Sequence, residues 1–353
     1  MLIVRPIAMA DFDALRVCAV ESGHGFTSLP VNDALLKQRI ERSEYSFAKP
    51  NVIAPSDESY LMVAVDSETQ QIAGTTGIEA AIGWDVPFYS YQISKLVHSS
   101  ERLGVRNVVR VLTLGNNYTG CSEICTLFLR PAYRHGLNGR LLSKCRFLLM
   151  ADHPQRFSET IFAEMRGVST DAGDSPFWQW LQAHFFSIDF TLADYLTGIG
   201  KKGFIADLMP KLPIYINLLS PQAQAVIGQV HDDTKPALAL LEQEGFSNRG
   251  YVDIFDAGPT MECDLRHIEA VRHSALAQVR IGPVSAGEPY LIANNVFDDG
   301  VPTQGALNRF RATIASAQWE PKQQQIRLTP DVAQALEVES GATVRLLRQP
   351  SPI

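Results

Sequence analysis

"YRHGLNGRLLSKCRF", Tyr133–Phe147, places Gly136 and Gly139 directly ahead of a run with helical periodicity. Leu137, Leu141, Leu142, Cys145, Leu148 and Leu149 form one apolar stripe, which predicts an amphipathic helix from about Asn138 to Met150. Side-chain-poor residues before a helix have two readings. Backbone N–H groups at a helix N-terminus grip an anion such as phosphate, and glycine lets that backbone come close. Alternatively the glycines only make a turn. The flanks matter here. "SEICTLFLR", Ser122–Arg130, reads as a buried strand stopped by Pro131, and "TIFAEMRG", Thr160–Gly167, reads as the next one.

Working outward, "LIVRP" is a short strand after which Asp11 is placed to cap a helix, and "RIERSEYSF" continues as helix. "YLMVAVD" and "IAGTTGIEAAIG" flank a short polar turn and predict a hairpin. "FYSYQISKLVHSS" and "VVRVLTLGNN" read as further strands. Residues from about 170 to 230 are rich in aromatics and turns and read as a helical and loop insertion, or lid. "TKPALALLEQEGFSNRGYVDIFDAGP" is a helix, a Gly-Phe turn and a strand. The expected organisation is one domain over 1–275 and a small β-rich module over 276–353 with one helix at "TPDVAQALEV".

Composition narrows the function. The 353 residues are 46% hydrophobic and 20% charged, enough for a sizeable core. A formal net charge of −7 without any Lys/Arg run argues against nucleic acid as partner. "MLIVRPIAMADFDAL" lacks the basic flank and long apolar run of a signal peptide, and no stretch approaches the ~20 apolar residues that span a membrane. Five cysteines without C-x-x-C spacing suit reduced thiols and a cytoplasmic setting, and no residue cluster has metal-ligand spacing.

The N-terminal strand–helix, the antiparallel hairpins, the strand–loop–helix core and "ALALLEQEGF" resemble the Gcn5-related N-acyltransferase fold. The resemblance implies an α+β acyl-CoA N-acyltransferase, GNAT-like: a mixed, mainly antiparallel sheet flanked by helices and splayed at a central parallel pair. That family binds the acyl-CoA pyrophosphate with Q/R-x-x-G-x-G/A. Arg134 and Gly139 match its ends, Leu137 stands at its central glycine, and Gly136 sits one residue early. Longer phrases are more specific. "SSERLGVRNV", "TGCSEICTLFL", "AEMRGV", "SPFWQWL", "ADLMPKLPIY", "AVIGQVH" and "YVDIFDAGPTMECD" resemble the arginine N-succinyltransferases.

That resemblance implies transfer of a succinyl group from succinyl-CoA to the α-amine of L-arginine in bacterial arginine catabolism, with succinyl-CoA as co-substrate and no permanently bound cofactor. Leu127 matches a residue that contacts succinyl-CoA, and Arg134, Gly136, Leu137, Asn138 and Gly139 form the implied pyrophosphate loop. His231 in "IGQVHDD" matches the family's proton donor; Asp232 or Asp233 is placed to keep it cationic. A guanidinium calls for carboxylates, for which Glu123 and Glu164 on the two central strands are candidates. Arg166 or Lys144 is a candidate cation for the succinyl carboxylate. Three alternatives stay open: an acyl-enzyme on Cys125 or Cys121, ornithine as acceptor, and a non-catalytic or regulatory member of a two-chain enzyme. A homo-oligomer or an assembly with a related subunit is compatible with either role.

Overall fold

The computed structural model describes residues 1–23, 28–170, 174–189, 192–193, 196, 203–294, 296–297 and 310–350. The chain opens with β1 (Leu2–Pro6), α1 (Phe12–Glu21) and α2 (Asp33–Ala48). Two hairpins follow, β2 (Ser59–Asp66) with β3 (Ile72–Glu79) and β4 (Ser90–Ser100) with β5 (Val105–Gly115). β6 (Ser122–Leu129), α3 (Asn138–Asp152) and β7 (Thr160–Glu164) come next. The middle segment holds α4 (Pro176–Phe185), α5 (Gly203–Leu208), β8 (Ile214–Tyr215) and α6 (Pro221–Val226). Parts of the expected lid, residues 171–173, 190–191, 194–195 and 197–202, lie outside the described residues.

Beyond it run α7 (Lys235–Gln243), β9 (Ser247–Val252), β10 (Pro259–Asp264) and α8 (Glu269–His273). The last part contains β11 (Ala275–Ile281), β12 (Glu288–Ala293), β13 (Ala312–Glu320), β14 (Gln325–Leu328), α9 (Pro330–Ala335) and β15 (Thr343–Arg348). All of these strands join one sheet, in the order β12-β15-β11-β14-β13-β1-β2-β3-β6-β7-β10-β9-β4-β5-β8. The fold is therefore α+β. Its described pairings are antiparallel except β6–β7 and β11–β14. The C-terminal strands are continuous with the rest through β13, whose Ala312 and Thr313 pair with Val4 and Ile3 of β1.

Two local expectations change. The Asp11 carboxylate does not cap α1; it accepts from the Ala8 amide at 2.9 Å and forms a two-pronged ion pair with Arg5. The α3 helix is not amphipathic in place, because every residue from Leu141 to Met150 is buried. One side packs on β3 and β6, while β12, β13, α7 and α8 cover the others. Its polar residues therefore have to be satisfied inside the protein. Lys144 is paired with Glu244 at 2.6 Å, so it is a structural cation and is withdrawn as a ligand for the succinyl carboxylate. No described helix is long and apolar enough to cross a membrane.

Candidate active site

β6 and β7 are paired in parallel at Ser122–Ile161 and Glu123–Phe162. Beyond those pairs, Ile124–Leu129 and Ala163–Arg166 line opposite walls of a cleft of about 760 Å³. Residues of β6 alternate between buried and half-buried, because Glu123, Cys125, Leu127 and Leu129 face this opening. The expectation of a fully buried strand is corrected on that account. A β-bulge sharpens the divergence. Thr75 pairs with Phe128 and Gly77 with Cys125, so Thr126 and Leu127 together face Thr76. Thr126 has φ 57, a left-handed conformation that costs a β-branched residue on the order of 1–2 kcal/mol. Thr75 holds it there by donating its hydroxyl to the Thr126 carbonyl at 2.9 Å.

The turn into α3 lies at one end of the cleft, with Arg134, Gly136 and Gly139 in its lining. Gly136 has φ 57, which glycine adopts without strain. Among the described residues the amides of Gly136, Leu137, Gly139 and Arg140 have no protein acceptor, and the first bond into the helix is Leu141 N to Leu137 O at 2.9 Å. They are the donors left over at any helix start. Arg134, an exposed residue, donates Nε to the Leu129 carbonyl at 2.8 Å. Leu137 and Asn138 do not line the cleft. Asn138 instead donates to the Tyr133 carbonyl at 3.0 Å and braces the loop. Leu137 is half-buried and stands outside the core clusters, so the side chain expected on the apolar stripe is not part of the core.

A Cβ added at Gly139 meets nothing within 4 Å, so it projects into open cleft. Gly139→Ala is expected to stabilise α3 by about 0.5–1 kcal/mol, since alanine is the better helix former. The same change is expected to weaken CoA binding by about tenfold, as an intervening methyl loses one or two charge-assisted hydrogen bonds. Leu137→Gly is expected to leave CoA affinity within about twofold. Calorimetric titration with CoA, paired with thermal melts, checks both.

The other end of the cleft is built from the C-terminal end of β7. Glu164 and Arg166 line it, as does Glu123. Arg166 bonds the Ser169 hydroxyl at 3.3 Å, and no described carboxylate lies within ion-pair distance of it. A bridge between Gly167 and Val230 carries the chain across to His231, whose amide donates to the Arg166 carbonyl at 2.9 Å. The imidazole is largely buried at the rim; its neighbours Asp232, Asp233 and Thr234 line the cleft, while the ring itself does not. The His231 Nδ1 accepts from the Asp233 amide at 3.2 Å, which assigns the proton of the neutral ring to Nε2. Asp232 is occupied by Lys235 at 2.6 Å, and among the described residues Asp233, at 3.7 Å, is the carboxylate within ion-pair distance of the ring.

Two further cleft residues have no counterpart in the sequence reading. Asp253 and Asp256 line the wall beside Gly167. Asp256 accepts from Gly167 at 2.7 Å and Gly258 at 2.8 Å, and Asp253 accepts from the Phe255 and Asp256 amides. Burial pushes both carboxyls up, and the Asp253 charge pushes Asp256 up further. The signal available was the D-x-x-D-x-G spacing, hidden because "YVDIFDAGP" reads as strand whereas β9 ends at Val252. Cys125 is half-buried in the cleft wall, and its thiol is raised by desolvation first and by Glu123 and Glu79 next. It is therefore protonated and a poor nucleophile, which disfavours the acyl-cysteine alternative; burial raises Cys121 likewise.

Comparison with known proteins identifies the family. A family model described as "Arginine N-succinyltransferase beta subunit" matches residues 2–270, and the model of its C-terminal domain matches 275–348. The arginine N-succinyltransferase of Escherichia coli (strain 55989 / EAEC) is 45% identical over 350 residues, 99% of this chain and 98% of that protein. The enzyme of the same name from Salmonella schwarzengrund (strain CVM19633) is 45% identical over the same shares. The solved arginine/ornithine succinyltransferase subunit AI from Pseudomonas aeruginosa superposes with a TM-score of 0.87 at 34% identity, covering 99% of each chain. With both halves of the chain matched and the similarity running nearly end to end, the chain belongs to the arginine N-succinyltransferase family.

Proposed function

We propose that this chain transfers the succinyl group of succinyl-CoA to the α-amine of L-arginine, giving N2-succinyl-L-arginine and CoA. The observation that carries the reading is the cleft between the diverging β6 and β7, with unpaired helix-start amides at one end and, at the other, Arg166, whose carbonyl accepts the His231 amide. The sheet is read as an acyl-CoA N-acyltransferase core, GNAT-like, opened where its central strands part. The pyrophosphate lies on the Gly136–Arg140 amides beside Arg134. The pantetheine arm runs along the edge of β6 past Leu127, where its amides find the strand-like partners that β7 no longer supplies.

Arginine enters at the β7 end. Glu123 and Glu164 give that wall the negative charge a guanidinium needs, and Arg166 faces the α-carboxylate. The neutral α-amine attacks the thioester carbonyl; the C–N bond forms as the C–S bond breaks. Protonated His231 donates its Nε2 proton to the departing sulfur, and the proton lost by the attacking nitrogen recharges the neutral ring. No acyl-enzyme intervenes. Initial rates with both substrates varied, using the purified chain alone, are expected to give intersecting lines. Parallel lines would show a covalent intermediate, and absence of turnover would favour the non-catalytic subunit. Substituting ornithine for arginine in the same assay decides the acceptor.

A further inference from the structure

Three cations are buried among the described residues, Lys144, Arg146 and Arg156. Lys144 has Glu244. Arg156 bonds the Lys49 and Pro50 carbonyls and the Tyr60 hydroxyl, and it lies over the Phe297 ring. Arg146 has much less. Its residue exposure is 1%, and it donates only within its own helical turn, from Nε to the Ser143 carbonyl at 3.0 Å and from Nη2 to the Ser143 hydroxyl at 3.4 Å. Nη1 has no acceptor and the guanidinium no carboxylate among the described residues. An arginine offers five N–H donors, so three are left over. Desolvation is the largest influence on it and lowers its pKa to about 10. A cation so placed is costly unless something arrives to pair with it.

Position shows what arrives. Arg146 lines the cleft together with Gly139 and Leu142, the three sharing one face of α3 at steps of three and four. At 1.5 Å per residue Arg146 lies about 10 Å deeper along the helix than Gly139 at the phosphate end. Cys125, on the β6 wall that faces this part of α3, lies close enough to influence its charge. Resting on the acyl-transfer reading above, we propose that Arg146 binds the terminal carboxylate of the acyl group and so makes the chain select a dicarboxylic acyl-CoA. The counterion that the fold leaves out is supplied by the co-substrate. Arg166, at the acceptor end beside His231, is then free for the amino acid.

Butyryl-CoA is the discriminating probe, because it has the carbon count of succinyl-CoA without the carboxylate. Binding is measured by calorimetry without any acceptor, on wild type, Arg146→Met and Arg146→Lys. Wild type is expected to bind succinyl-CoA about 10- to 100-fold more tightly than butyryl-CoA, the range of a charge-assisted hydrogen bond or two. In Arg146→Met the ratio is expected to fall to about one with butyryl-CoA affinity little changed, and Arg146→Lys is expected to keep part of the preference. The Met variant is also expected to melt at or above the wild-type temperature, since it removes an unpaired buried charge. An unchanged ratio in Arg146→Met, an equal loss for both ligands, or a wild type with no preference overturns the inference. A wild type that prefers succinyl-CoA yet makes no succinylarginine sinks the transfer reading and leaves Arg146 standing.

Discussion

His231→Ala is expected to lower turnover about 100- to 10,000-fold, the usual contribution of a positioned general acid. CoA affinity is expected to stay within about twofold, because the phosphate end of the cleft belongs to α3 and not to the His231 loop. Truncation also deletes a local structural bond, since the ring accepts the Asp233 amide. His231→Asn separates the two effects. Its side-chain oxygen reaches the same amide and makes a good helix cap, so the loop keeps its shape without a transferable proton. Steady-state kinetics with wild-type-like melting in the Asn variant is the check. Turnover within a few-fold of wild type in both variants would remove His231 from the chemistry.

Glu244→Ala is expected to be the most destabilising of the changes considered. Glu244 is 1% exposed and holds two partners, Lys144 at 2.6 Å and the Ala270 amide at 2.7 Å. Removing it strands an ammonium inside the protein, at about 3–5 kcal/mol. It also frees the first turn of α8, which packs against α3. The double replacement Lys144→Met with Glu244→Leu is expected to regain most of the loss, because it removes both charges together. Urea midpoints of the single and double variants test this. A single-variant loss under about 1 kcal/mol would mean that the buried pair does not anchor α3, with the normal cost of breaking such a pair as reference.

Much of the chain was legible because its elements carry clear periods. The β2–β3 hairpin, the β4 and β5 strands, the strand–loop–helix run through α3 and the C-terminal helix at Pro330–Ala335 all fall where alternation, turn residues and helical spacing put them. Three things were hidden for physical reasons. The polar positions of α3 read as a solvent face, because their covering elements and Glu244 lie some hundred residues or more downstream, and local pattern carries no information about them. Arg146 was overlooked on that account. The Thr126 bulge has no sequence mark at all, since a β-branched residue argues against the left-handed conformation it adopts. The Asp253–Asp256 pair lay inside what read as a strand. His231 is a different case. Beside two loop aspartates it looks like an ordinary solvated histidine, and its role came from family resemblance. The Gly167–Val230 bridge that brings it to Arg166 is a tertiary fact.

The most direct measurement is the structure of the product. The purified chain, given succinyl-CoA and L-arginine, is expected to release CoA thiol in step with one new compound. Fragmentation mass spectrometry of that compound is expected to place a single succinyl group on the α-nitrogen with the guanidino group unmodified. A product acylated on the guanidino group, or thiol release that does not depend on arginine, would contradict the account.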